Sequence, residues 1–498
     1  MNNYGFLSIL PIIITISIAI LTRNVIISLF IGVFSAVFIL AGPNPINVTL
    51  VMLKDFVLVQ LQDSYNMSII LLLIFIGGFV SLIENSGGAE AFARSVVKFV
   101  NSKTKTQISA WIGGILVFFS ELGTPLIVGP IFSPLFEKMK MSKEKLAWIL
   151  DTTSSPICIL IPFIGWGVYS MGLIQTELDA LNITSTNDWG AFINALPFQF
   201  YAILCIILVP MVALYKRDFG PMVKAETLAR DGKFSSVDED IKTTMIVNNN
   251  VSPLILILPL VILFLTTFGI LIPKGFPVKQ VSGGEFRLAL MTGYLFAAIL
   301  MVFLMKYYKI SNLKDGFNQY IKGTSKLFSC NLMLILAWSL SAAGKELGTS
   351  EYIVKFASEN LPSYLVPALI FLIGALMSFA TGTSWGTFAI MFPIAIPMAI
   401  HLDASLFITI AAVLSGGLFG DHCSFVSDTT ILSATGAGCS LMNHMWTQFP
   451  YALLCGVISF ISYIFAGITE NLITLPISII ILIVSYLIIG KIFGKKIK

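Results

Sequence analysis

The chain has 498 residues, of which 56% are hydrophobic and 11% charged, with a mean hydropathy of +0.91. Soluble domains carry about 25% charged residues, so this composition excludes an ordinary soluble enzyme and defines an all-α polytopic membrane protein surrounded by lipid. The net charge of +4 comes with no basic patch interleaved with aromatics, which excludes nucleic acid as a partner.

Apolar runs long enough to span a bilayer lie near residues 5–22, 24–41, 66–83, 145–170, 191–214, 251–272, 288–305, 327–343, 405–425, 447–467 and 473–490. Met1-Asn2-Asn3-Tyr4 puts no positive charge ahead of the first run, which reads as a retained helix and not as a cleaved signal. Two more runs, 108–136 and 363–400, are too long for one crossing. Small residues split each: Glu121-Leu122-Gly123-Thr124-Pro125 in the first, Thr381-Gly382-Thr383-Ser384-Trp385-Gly386-Thr387 in the second. Arg94, Lys98, Lys103 and Lys105 precede the first of these, and Lys138, Lys140, Lys143 and Lys145 follow it. Basic residues mark the cytoplasmic side, so that run enters and returns on one side as a re-entrant hairpin.

The next loop, with Glu177, Asp179 and Asp188, reads as external. Residues 215–250 read as internal, as do Lys306 to Lys326 and the tail with Lys491, Lys495, Lys496 and Lys498. Glu346, Glu351 and Glu359 fall outside; so do Lys274, Lys279 and Arg287, against the rule. The scheme gives about 11 transmembrane helices plus two re-entrant hairpins, with the N-terminus outside and the C-terminus cytoplasmic. The two halves follow the same order of elements, which predicts an inverted-topology repeat with the site between the halves. Residues 1–214 form the first repeat with hairpin 108–136, and 215–250 form a cytoplasmic linker. Residues 251–467 form the second repeat with hairpin 363–400, and 473–498 an extra helix with a basic tail.

The densest chemistry lies in Gly416 to Thr430. A charged side chain at the centre of a membrane helix costs about 2.5–3.5 kcal/mol on insertion scales, so an acid there is a functional candidate. Gly416, Gly417 and Gly420 weaken the helix ahead of Asp421, the pattern of a broken helix whose freed carbonyls and hydroxyls surround a small cation. Asp421, Ser424 and Asp428 fall at i, i+3 and i+7, on one face of a continuous helix. Ser427 and Thr429 add hydroxyls, and carboxylate and hydroxyl oxygens are hard ligands suited to Na⁺ and H⁺. Asp428 also fits the start of a new helix, where it would answer free N–H groups. His422 either tunes the proton affinity of its neighbour or is simply hydrogen-bonded.

In the first half, Asp151 sits beside Thr152 and Ser154 in a helix broken at Pro156, and completes the Na⁺ site with Asp421 and Asp428. Glu121 and Thr124 at the first hairpin tip, and Thr383 and Ser384 at the second, are candidates for the substrate pathway. Glu121 reads equally as a solvated turn. Cys158, Cys205, Cys330, Cys423, Cys439 and Cys455 lie far apart without a C-x-x-C pair and read as buried thiols. No phosphate-binding loop, nucleophile elbow or metalloprotease helix is present, so the chain reads as neither an ATP-driven pump nor an enzyme, and no cofactor is implied.

The run Gly420-Asp421-His422-Cys423-Ser424-Phe425-Val426-Ser427-Asp428-Thr429-Thr430, followed by His444, Thr447-Gln448 and Pro450-Tyr451, resembles the signature of the NhaC-type Na⁺/H⁺ antiporter family. Gly382 to Thr387, Val128-Gly129, Ser142 to Ala147 and Asp151 to Pro156 extend the resemblance over most of residues 66–467. It implies a sodium-coupled secondary transporter of the bacterial inner membrane. The chain departs from the family pattern at Phe425, where a proline is usual, and at the first tip, where an Asp-rich, Asn-containing turn is usual. The expectation is Na⁺/H⁺ antiport through Asp421 and Asp428. The alternatives are sodium-coupled transport or exchange of a small organic solute (amino acid or carboxylate) and, in another class, a channel. A homodimer is compatible with any of these.

Overall fold

Polar residues at the edges of the apolar runs start the helices. Asn24, Asn44, Asp63, Ser102, Ser142, Asn187, Ser282, Asn312 and Thr383 each accept a hydrogen bond from a backbone N–H in the first turn of the helix that follows. The computed structural model describes residues 4–91, 101–234, 251–276, 281–349, 352 and 361–496. Arg94, Lys98, Lys242, Lys279, Glu351, Glu359 and Lys498 lie outside the described residues.

The first half holds α1 (Leu10–Thr22), α2 (Val25–Ala41), α3 (Pro45–Gln62), α4 (Ser64–Asn85), α5 (Lys103–Leu116), α6 (Gly123–Lys138), α7 (Lys143–Thr152), α8 (Gly165–Ala180), α9 (Asp188–Ala195) and α10 (Phe200–Tyr215). A surface helix, α11 (Pro221–Arg230), follows. The second half holds α12 (Leu254–Leu271), α13 (Gly283–Tyr307), α14 (Leu313–Thr324), α15 (Phe328–Leu347), α16 (Val366–Thr381), α17 (Ser384–His401), α18 (Leu406–Cys423), α19 (Asp428–Ala437) and α20 (Leu441–Thr469), with α21 (Thr474–Ile492) after it. One short antiparallel pairing, Arg217 with Lys496 and Asp218 with Lys495, ties the tail to the segment after α10. Among the described residues, 9 helices are long and apolar enough to cross a membrane, or up to 11 when each bent pair counts as one span. The chain is an all-α polytopic membrane protein.

Both expected hairpins are present, α5/α6 turning at residues 117–122 and α16/α17 turning at Gly382-Thr383. Their packing is reciprocal. α7 lies against α5 and α6, as α18 lies against α16 and α17; α6 then packs on α19, and α17 on α8. Each half thus presses its hairpin's second arm on the helix that follows the other half's break.

Three expectations need correction. Residues 145–170 are not one span: α7 stops at Thr152, a single turn Ser155–Cys158 follows with Pro156 near its start, and α8 begins only at Gly165. The glycines before Asp421 do not break a helix. α18 runs through them to Cys423, and the break is Ser424 to Ser427. Gly416 and Gly420 instead let two backbones touch, because a Cβ would come within 2.5 Å of the Phe371 carbonyl oxygen and 2.3 Å of that of Ala375, both on α16. Asp421, Ser424 and Asp428 therefore do not share one helical face.

Of the three acids that follow α7, Asp179 is exposed and the other two are buried. Glu177 is buried in α8, and Asp188 is buried against Arg287 at 2.8 Å. The Arg287 guanidinium also donates to Ser68 at 2.7 Å and lies 3.7 Å from the centre of the Tyr65 ring, whose hydroxyl donates to Asp188 at 2.6 Å. Lys274 is paired with Glu285 at 2.7 Å. Two basic residues that broke the charge rule are thus neutralised where they stand. α3 and α14 were not foreseen: α3 carries Lys54 and Asp55 through a π turn, and α14 is too polar to read as a span. All six cysteines are free and buried.

Candidate functional site

Both hairpin tips and the ends of both broken helices meet around one cavity of about 800 Å³. Ser120 to Gly123 line it from the first tip; Gly382, Thr383 and Trp385 line it from the second. Gly165 and Trp166, at the start of α8, and Ser427 to Thr429, at the start of α19, close two further sides. Glu84 on α4 and Lys326 just before α15 complete the wall. The size is that of a small-molecule site.

Asp421, in the last turn of α18, lines this cavity and is 5% exposed. Its Oδ2 accepts a hydrogen bond of 2.7 Å from Ser384, the first residue of α17, and the same hydroxyl lies 3.2 Å from the Gly417 carbonyl oxygen. A buried carboxylate thus meets the second hairpin tip directly. Asp428, the first residue of α19, is exposed and lines the cavity. Ser427 and Thr429 hydrogen-bond each other at 3.0 Å beside it. Ser424 points elsewhere, donating to the Phe379 carbonyl at 2.9 Å and so anchoring the break to α16.

At the first tip, Glu121 lines the cavity and its carbonyl accepts from Ser154, which joins the hairpin to the break after α7. Thr124 turns inward, donating to the Val117 and Ser120 carbonyls at 3.1 and 3.2 Å. Thr383 caps α17 through the Gly386 N–H at 3.5 Å. Glu84 accepts from Ser120 at 3.0 Å and is ion-paired with Lys326.

Asp151 and Thr152 belong to a second, enclosed cluster that does not line the cavity. Asp151 is fully buried, and its Oδ2 accepts from Gln448 at 2.7 Å and from Thr430 at 3.3 Å. His444 Nε2 stands 3.5 Å and His422 Nε2 3.9 Å from the same oxygen. His422 is held by Tyr201 at 2.8 Å through Nδ1 and by Thr152 at 3.4 Å through Nε2, and Gln448 donates to its carbonyl at 2.5 Å. Asp151 Oδ1, His444 Nδ1 and Gln448 Oε1 are buried without a hydrogen-bond partner among the described residues.

Asp421 and Asp428 therefore share the cavity, and Asp151 is joined to Asp421 through His422, its sequence neighbour. His444, Gln448, Thr430, Tyr201, Glu84 and Lys326 were not foreseen as site residues. For His444 and Gln448 a signal existed: polar residues four apart on an otherwise apolar helix share one face.

Broken helices, paired hairpins and buried acids at a central cavity define a multi-pass membrane transporter of the secondary class. The model of the Na⁺/H⁺ antiporter family matches residues 157–468, and the chain belongs to that family. An uncharacterized protein of Haemophilus influenzae is 32% identical over 479 residues, covering 93% of this chain and 91% of the relative. The arginine/ornithine antiporter ArcD of Halobacterium salinarum is 30% identical over 166 residues, 32% of this chain and 33% of the relative. The solved YdaH transporter of Alcanivorax borkumensis shares the fold at a TM-score of 0.55 and 13% identity, covering 86% of each chain.

Proposed function

We propose that this chain is an antiporter of the bacterial inner membrane, N-terminus outside, that exchanges Na⁺ for H⁺ with Asp421 as the carrier. The observation that carries the reading is that the Asp421 carboxylate, almost wholly removed from solvent, faces the cavity at the junction of both hairpin tips and accepts from Ser384 of the second. A carboxylate so placed is compensated by either a cation or a proton, and binding one expels the other. Asp428, exposed on the wall, draws cations in, while Asp151 with His422 and His444 forms a proton reserve behind the site.

Alternating access follows from the reciprocal packing. The two repeats, 1–214 and 251–467, rock about the contacts of α6 with α19 and of α17 with α8, and the cavity faces one side at a time. Membrane topology and family membership support this reading. The test is sodium-dependent proton movement in proteoliposomes. Asp421→Asn abolishes it and Asp428→Asn only weakens it; unchanged exchange in Asp421→Asn would overturn the proposal.

A further inference from the structure

The same three helices that wall the central cavity also wall a second one, of about 270 Å³. α8 lines the first with Trp166 and the second with Glu177. α15 lines the first with Ser329 and the second with Ser341 and Lys345; α17 lines them with Trp385 and then with Pro393 and Pro397. Each helix runs from the first cavity to the second, so the two stand one behind the other along the bundle. The layer between them is thinnest on α17, where Trp385 lines one and Ile390 the other, a rise of about 7.5 Å. Tyr169 of α8 crosses this layer to donate to the Trp385 carbonyl at 2.9 Å, its ring edge-on to the indole with centres 4.8 Å apart. The Trp338 indole of α15 donates to the Gly172 carbonyl of α8 at 3.3 Å.

The second cavity is not a dry crevice. Glu177 is 4% exposed, and the Ser341 hydroxyl and the Lys345 ammonium both stabilise its carboxylate. Pro393 and Pro397 have no N–H for the carbonyls of Ala389 and Pro393, four residues earlier, so α17 carries carbonyls without their usual helical partner on the face that lines this space. Carboxylate and carbonyl oxygens are hard ligands. At about 30 Å³ per water, the volume holds a sodium ion with its first hydration shell.

We propose that the second cavity is the outer half of the ion route, where a hydrated monovalent cation rests at Glu177 and the α17 carbonyls and passes to Asp421 when the Tyr169–Trp385 layer parts. The inference rests on the reading of the chain as an antiporter with its N-terminus outside, and it adds the path on the far side of Asp421. In that orientation α15 starts at the cytoplasmic face and ends, at Lys345, at the outer one. Lys345 offsets the charge of Glu177, so a cation is held loosely enough to leave again, as a passage requires.

The experiment uses the full chain in right-side-out and inside-out membrane vesicles. A cationic, membrane-impermeant methanethiosulfonate labels Ser329→Cys or Ser341→Cys, each in a Cys330→Ser background, because Cys330 lines the central cavity and the other native thiols are buried. Ser341→Cys is expected to react from outside and Ser329→Cys from the cytoplasm. Labelling of both from one side, or failure of either to label, overturns the inference. Glu177→Gln is expected to raise the external KM for sodium at least about fivefold, and Lys345→Met to lower it about threefold, with the cytoplasmic KM unchanged in both. Opposite shifts confined to one side separate a place on the route from a folding defect, and Lys345 is exposed, so its replacement leaves the packing intact. No shift, equal shifts on both sides, or shifts of the same sign overturn the inference. Labelling needs no transport. Absence of sodium-dependent proton movement in the wild type would therefore sink the exchange reading, while labelling alone still decides where the second cavity opens.

Discussion

Gly420→Ala tests whether the glycines ahead of Asp421 serve contact or flexibility. An added Cβ would lie 2.3 Å from the Ala375 carbonyl oxygen, 2.5 Å from the Phe379 nitrogen and 2.6 Å from Ser378 Cβ, whereas ordinary contact begins at 3.4 Å. Two of these atoms are backbone, so α16 must withdraw from α18 by about 1 Å, and overpacking of this kind costs about 1–3 kcal/mol. Against that, alanine gains about 0.5–1 kcal/mol over glycine in a helix interior. The net expectation is a destabilisation of about 1–2 kcal/mol, together with loss of exchange, because the withdrawing α16 takes its hairpin partner α17, and with it Ser384, away from Asp421. Gly269→Ala on α12 is the control: its Cβ would meet nothing within 4 Å, so the same substitution is expected to stabilise. Thermal unfolding in detergent reads both, and proteoliposome exchange reads the site. A Gly420→Ala protein as stable as wild type would refute the close-contact argument and restore the glycines as a hinge.

Arg287→Met strands the buried Asp188 carboxylate and should cost about 3–5 kcal/mol in unfolding free energy, much of it recovered in the Arg287→Met/Asp188→Asn double variant. Lys145 holds Asp218 at 2.6 Å and Glu226 at 3.4 Å, all three buried, so Lys145→Met should be as costly and should loosen the segment after α10, read by limited proteolysis there. Asp151→Asn keeps the shape and removes the charge facing both imidazoles; proton movement should fall at least about tenfold while the unfolding temperature stays near wild type.

The spans and hairpins were legible because their signals are local: length, hydropathy and a small-residue interruption suffice to place α5/α6 and α16/α17. The Gly416-Gly417-Gly420 set was misread because glycine serves two opposite ends, freedom of the backbone and close approach of a second helix. Only the position of α16 decides between them. The pairing of Asp188 with Arg287 was not legible, because it joins residues 99 apart. In the site, Asp421 and Asp428 were legible as acids out of place in an apolar stretch. His444 and Gln448 were legible only as two polar residues on one helix face, since their meaning arises where α20 crosses the end of α7.

The end of α18 explains how the cavity and the enclosed cluster can act on each other without sharing a ligand. Successive residues on a helix point about 100° apart, so Asp421 and His422 leave the same last turn in different directions. One reaches the cavity and Ser384; the other reaches Thr152, Tyr201 and the oxygen of Asp151. The turn then stops at Ser424, whose hydroxyl is fixed to α16. Any ion that draws Asp421 toward the hairpin tips must turn this short, anchored end, and His422 turns with it relative to Asp151. On the proposed reading, occupancy of the cavity and protonation of the enclosed cluster are therefore coupled through one helix terminus, which is the connection an exchanger requires and a channel does not.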